Sequence, residues 1–351
     1  MSLSRFLSLW RALLVGVFLL TLPACSGVRN TPTASPQFPS TATLTTSPVA
    51  VASPTSKPSA TATALPGRIL LYSPKETDSS MVRSLLAEQA RAAGLTLDTI
   101  TVPPALPVGS DVRLAVLLVA PPNLAELVSA SPGTQFIAVV NVDVGLTPNL
   151  SVIRQRADKL GFAAGLLTTM LSTDWRSGGL MVSSSAVSKT FEDGFLTGGR
   201  YFCGRCAPGW PLGVLFPVTA MLPNNADATA WQNAANDLIA TKKIEALYVA
   251  PEGLTADVVK FLAGKKLALT SSRAAPEELR SLWAATVTQD VVEPLKALLP
   301  IALSGSGAAS VDAPIVLRDV SAEKFGAGRQ NYFESIIRDL EKGLINPLTV
   351  Q

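Results

Sequence analysis

Beyond residue 67, short apolar runs alternate with stretches of helical spacing, and this alternation narrows the fold more than any other feature of the chain. Strands are expected over 68–72, 95–100, 114–119, 136–142, 179–182, 212–218, 246–249, 267–270, 281–287 and 315–320. Helices are expected over 78–93, 154–171, 188–202, 226–239, 255–262, 291–303 and 330–341. Asp78 and Ser79 are suited to open the first helix and Gly94 to stop it. Runs such as Leu114-Ala-Val-Leu-Leu-Val119 carry no polar alternation, which suits strands covered on both faces. Strand–helix–strand repetition implies parallel sheets with helices on both sides. The body after residue 66 is too long for one comfortable lobe and divides best into two doubly wound α/β lobes. Ligands of such folds sit at the C-terminal ends of the strands. Tyr72-Ser73, Asn141, Asp143, Pro251-Glu252-Gly253 and Ser271-Ser272 all follow apolar runs there.

Residues 1–66 have a different texture. Arg5 and Arg11 precede a short apolar run over 12–20, too short to span a bilayer, and then Leu22-Pro23-Ala24-Cys25. That is a signal segment over 1–25 ending in a lipobox, with Cys25 as the lipidated first residue of the mature chain. An ordinary cleaved signal with an incidental cysteine is the alternative. Over 28–66, Thr, Ala, Pro and Ser supply 29 of 39 residues and no acid occurs. Such a segment buries no core, and 26–66 is expected to be a disordered linker. As an extended tether it would reach on the order of 120 Å. The expected location is therefore extracytoplasmic, on a bacterial cell membrane.

Charge and composition remove several classes of function. The chain has 29 basic and 26 acidic residues. Arg5, Arg11, Arg29 and Lys57 all precede residue 67, so the body itself is nearly neutral and offers nothing to nucleic acid. Histidine is absent, which excludes Ser-His-Asp triads, Cys-His dyads and His-based zinc sites. Neither a metal nor a cofactor is expected. Cys203-Gly-Arg-Cys206 reads as a structural disulfide in an exported protein, with a redox pair as the alternative. Asp143 with Glu252 is the one carboxylate pair at strand ends that suits glycoside hydrolysis, and any exported domain offers such pairs.

The stretch Phe136-Ile-Ala-Val-Val-Asn-Val-Asp143 is followed by Ser151–Leu167 with Phe162 and Gly165. Next come Gly179-Leu-Met-Val182 and Phe191-Glu-Asp-Gly-Phe195 with Gly198. The chain closes on Phe333–Lys342 and Gly343-Leu-Ile-Asn-Pro347. In this order the segments resemble the basic membrane protein family of lipoproteins. The resemblance implies a type 1 periplasmic-binding-protein fold and a solute-binding subunit of an ABC importer, whose characterised relatives bind purine nucleosides. It implies Asp143 as an acceptor for ligand hydroxyls and Phe191 as a stacking surface. Tyr72, Ser73, Gly253, Ser271 and Gln289 are the further candidate contacts. The chain departs from the family after its first strand, where a Phe-Asn pair is missing, and at Gln289, where the family has Lys. Three crossovers would join the lobes, one holding about 67–174 and 282–310, the other about 175–281 and 311–351. The expected protein is a monomer and not an enzyme, and it docks on an ABC permease. A ligand sensor without transport and, behind it, a cell-surface glycosidase are the alternatives.

Overall fold

The computed structural model describes residues 67–348 except Glu76, Leu212 and Ser306. The expected signal segment, Cys25 and the 26–66 linker lie outside the described residues. In chain order the elements are β1 (Arg68–Tyr72), α1 (Ser80–Ala92), β2 (Thr96–Ile100), β3 (Val112–Leu117), α2 (Leu124–Ala130), β4 (Gln135–Val140), β5 (Leu150–Arg154), α3 (Ala157–Leu171), β6 (Ser177–Val182), α4 (Ala186–Cys203), β7 (Val218–Leu222), α5 (Ala228–Asn236), β8 (Ala246–Val249), α6 (Ala256–Ala263), β9 (Ala268–Ser271), β10 (Trp283–Gln289), α7 (Val292–Ser304), β11 (Ser310–Asp312), β12 (Ile315–Arg318) and α8 (Ala327–Glu341).

The strands form two six-stranded sheets, ordered β11-β5-β4-β3-β1-β2 and β12-β10-β9-β8-β6-β7. All pairings are parallel except β10 with β12. Each sheet takes the doubly wound order 2-1-3-4-5 from its own five consecutive strands and gains one strand from the C-terminal segment. The expected fold class, two doubly wound α/β lobes, is the one observed.

Both faces of the first sheet are covered, and the side chains sort by the two-residue period of a strand. Ile69, Leu71, Leu114, Val116, Ile137, Val139 and Ile153 join α1 and α7 on one face. Leu70, Tyr72, Ala115, Leu117, Phe136, Ala138, Val140 and Val152 join α2 on the other. The second lobe has a single large core in which Phe162, Leu166, Phe195, Tyr248, Trp283 and Phe333 are buried. Gly94 ends α1 with φ +67, a conformation in which a side chain would be strained.

Three sequence expectations are corrected. Residues 150–154 form a strand rather than loop and helix start, because Leu150, Val152 and Ile153 are buried between β4 and β11. The strand expected over 212–218 begins only at Val218; Pro217, just before it, lacks the amide hydrogen a sheet ladder needs. The lobe boundaries also differ. Helix α3, placed in the first lobe by sequence, packs its Phe162, Leu166 and Leu167 into the second core. Strand β10, likewise placed in the first lobe, pairs with β9 and β12 of the second sheet. Conversely β11 belongs to the first sheet. The crossings fall between β5 and α3, between β10 and α7, and between β11 and β12.

Candidate functional site

A cavity of about 400 Å³ opens where the C-terminal ends of the two sets of strands meet. The first sheet contributes Asn141 after β4 and Gln155 after β5. The second contributes Met181 and Val182 of β6, Tyr248 of β8, Glu252, Ser272 after β9, and Thr288 and Gln289 of β10. The first turns of α3 and α4 add Leu160, Ser188 and Phe191. Strands β6 and β8 are the first and third of their sheet, so the cavity lies over the point where the winding direction reverses. That is where doubly wound sheets leave a crevice.

Helix packing places Phe191 there. Helices α3 and α4 run parallel and touch through backbone. Gly161 and Gly165 lie against the carbonyls of Phe191 and Phe195, and Gly194 and Gly198 lie against those of Asp158 and Phe162. A Cβ at any of these four glycines would overlap a backbone atom. Ser185 caps α4, its hydroxyl accepting from the Ser188 amide at 3.3 Å. Phe191, half-buried, then sets its ring 5.3 Å from that of Tyr248 with a 36° tilt.

The polar side of the cavity is ordered by neighbours. The Tyr248 hydroxyl lies 2.8 Å from Ser272 Oγ. Burial pushes the Tyr248 phenol well above its usual range; the Ser272 hydrogen bond opposes this and the Glu252 charge adds to it. Tyr248 is thus protonated at physiological pH. Gln289 donates from Nε2 to the Arg156 carbonyl at 3.4 Å, reaching from β10 to the crossing before α3. Arg156 forks onto the buried Asp158 with contacts of 3.1 and 2.7 Å. That hydrogen bonding holds the guanidinium charged against the opposing effect of burial, with Asp158, Asp312 and Asp143 adding attraction. Such a wall offers amides, hydroxyls, one carboxylate and a flat aromatic face.

Of the candidate contacts, Phe191 and Gln289 line the cavity. Asp143 lies exposed on the loop beyond Asn141, near Arg156 and outside the lining. Tyr72 and Ser73 are buried at the end of β1, Tyr72 in the first lobe's core and Ser73 donating its amide to Ile100. Gly253 is buried where a Cβ would strike the Trp231 ring. Ser271 is fully buried and its hydroxyl accepts from the Arg273 amide at 3.2 Å, so its polarity serves the turn. Sequence reasoning missed Gln155, Ser188, Tyr248 and Thr288. The run Leu150–Ile153 ending at Gln155 was the available signal for one of them. Cys203 and Cys206 stand with Cα atoms 5.1 Å apart, a separation a disulfide spans. Among the described residues no cluster of His, Cys, Asp and Glu is arranged to hold a metal, and no helix is long and apolar enough to cross a membrane.

Two doubly wound lobes with a cavity at their strand ends make this a type 1 periplasmic-binding-protein fold. Solved structures share it. An ABC transporter system solute-binding protein from Conexibacter woesei DSM 14684 is 16% identical, with a TM-score of 0.58 over 80% of this chain and 98% of that one. An ABC transporter system solute-binding protein from Aeropyrum pernix K1 is 11% identical, with a TM-score of 0.57 over 80% and 93%. A transcriptional activator of the comK gene from Bacillus halodurans is 13% identical, with a TM-score of 0.57 over 80% and 100%. No family model and no curated protein matches the sequence.

Proposed function

We propose that this chain is the extracytoplasmic solute-binding component of an ABC importer, a monomer held to the membrane through lipidated Cys25, and that it binds a small, flat, polar, nucleoside-like ligand between its lobes. One observation carries the proposal: Phe191 with Tyr248 forms an aromatic wall in a cavity whose lining also includes the polar side chains of Asn141, Gln155, Gln289, Ser188, Ser272 and Thr288. Flat rings stack on the first and hydroxyls or ring nitrogens bond to the second. The ligand binds the closed arrangement of the lobes more tightly than the open one and shifts the balance toward it. The closed form then docks on the permease. The basic membrane protein resemblance supports the nucleoside class, and the fold shared with importer components supports the transport role. A glycosidase is disfavoured because Glu252 lines the cavity while Asp143 does not.

A thermal-shift screen against nucleosides, bases, sugars and amino acids tests this. At 100 times its Kd a ligand adds about 2.7 kcal/mol. A rise in the unfolding midpoint with nucleosides is expected. A rise with another class alone removes the nucleoside assignment, and no rise with any class removes the solute-binding function.

A further inference from the structure

The end of the second lobe opposite the cavity carries a different surface. Helix α4 has its first turn at the cavity and its last, eighteen residues on, roughly 27 Å away. The five aromatic side chains that stand exposed among the described residues all belong to this end or the turns beside it: Trp175, Tyr201, Phe202, Trp210 and Tyr332. Tyr201 and Phe202 close α4, and Phe202 meets Tyr332 of α8 with ring centroids 6.3 Å apart. One turn earlier on α8, Arg329 donates to the Met170 carbonyl at the end of α3, 3.1 Å away. Trp210, 64% exposed, rides on the loop over 204–217. That loop is folded back onto α4. Cys206 stands beside Cys203, the Phe216 amide donates to the Cys206 carbonyl, and Pro217 packs against Gly199. An exposed tryptophan on a pinned loop, beside exposed tyrosines, is surface held ready for contact.

The charge around it selects the partner. No acidic residue occurs between Asp193 and Asp227, while Arg200 and Arg205 are exposed among the aromatics; of the acids beside Trp175 and Tyr332, Asp174 is paired with Arg176 and Glu334 accepts from Gln330. Tryptophan and tyrosine prefer the headgroup layer of a bilayer, where an apolar ring and a polar edge are both satisfied. Arginine without a neighbouring acid adds attraction to anionic lipid. The expected anchor at Cys25 keeps the body within tether reach of such a surface. We propose that this end of the second lobe rests on an anionic membrane surface, with Trp210, Tyr201 and Tyr332 in the headgroup layer and Arg200 and Arg205 against lipid phosphates. The cavity, at the opposite end of α4, then faces away from the bilayer during ligand capture, and the expected tether lets the body turn to meet the permease. The proposal does not depend on the ligand's identity.

Full-length protein mixed with vesicles of brominated phosphatidylcholine, with or without phosphatidylglycerol, tests it by tryptophan quenching. The signal is the quenching of the wild type minus that of the Trp210→Phe variant, a difference in which the contributions of exposed Trp175 and of the buried Trp231 and Trp283 cancel. Quenching is expected on vesicles containing phosphatidylglycerol, and it should weaken as salt is raised. This difference should shrink when both proteins also carry Arg205→Gln, with unfolding midpoints unchanged. Equal quenching in wild type and Trp210→Phe, or equal quenching with and without phosphatidylglycerol, overturns the proposal. A dimer in sedimentation that Trp210→Phe dissolves also overturns it, by assigning the patch to a second copy of the chain.

Discussion

Phe191 shows how a single residue's role depends on its neighbours. Its spacing with Phe195 on a helix matches core packing, and Phe195 is indeed fully buried. Phe191, one turn nearer the helix start, instead shares its ring between Tyr248 and the open cavity. Phe191→Ala is expected to weaken ligand binding by about 1–2 kcal/mol, or roughly 5- to 30-fold in Kd by calorimetry. The opposite outcome held for Ser271 and Gly253. Both were reasonable contacts by position after a strand, yet one hydroxyl bonds a local amide and the other residue admits a tryptophan ring. At Cys203 and Cys206 the expectation is that thiol titration of the folded protein finds neither sulfur free. Replacing both by serine should cost about 2 kcal/mol in urea unfolding, the chain-entropy value for so short a loop.

Among the elements, the α3–α4 pair has the closest constraint. Glycines on each helix meet carbonyls on the other, so the helices have no room for a methyl group. Gly165→Ala and Gly198→Ala should each destabilise by at least about 2 kcal/mol, because the helices must separate or shift. Gly328, also helical but open on all sides, is the control: Gly328→Ala should be neutral or stabilise by up to about 1 kcal/mol. Since Phe191 and Leu160 sit beside these contacts, ligand binding should weaken in the two destabilised variants beyond what lost folding explains. Comparison of denaturant midpoints with calorimetric affinities separates the two effects.

For the whole molecule, the lobes are joined by three crossings and by charge at one of them. Asp312 of β11 accepts from Arg154 Nε of β5 at 2.8 Å and from Lys159 Nζ of α3 at 3.1 Å, tying the first sheet's edge to a helix of the second lobe. Burial pushes the Asp312 carboxyl up. The Lys159 hydrogen bond and charge, with Arg154 and Arg156, outweigh burial and hold the group below its usual range. A carboxylate depressed in the folded state stabilises above its unfolded value, about pH 4, and that stability is lost as pH falls through the folded value. Asp312→Asn should therefore unfold at lower urea than wild type near about pH 7, and the gap should close in acid below about pH 4. Neither contact is legible in the sequence, since Asp312 lies far from both Arg154 and Lys159 in the chain.

Local patterns in the chain account for the α/β alternation, most element positions and the presence of two lobes. They do so because burial on both faces of a parallel sheet forces continuous apolar runs, and those are local in the chain. The family resemblance also marked Phe191 and Gln289, both of which line the cavity. Where the chain crosses between lobes follows instead from long-range packing. Helix α3 is apolar on faces that either sheet would bury, and strand β5 is short enough to pass for the loop that leads into a helix. The same holds for the cavity wall. Gln155 follows β5, Tyr248 lies on β8 and Thr288 on β10, and their convergence depends on sheet order and register, which no local pattern encodes.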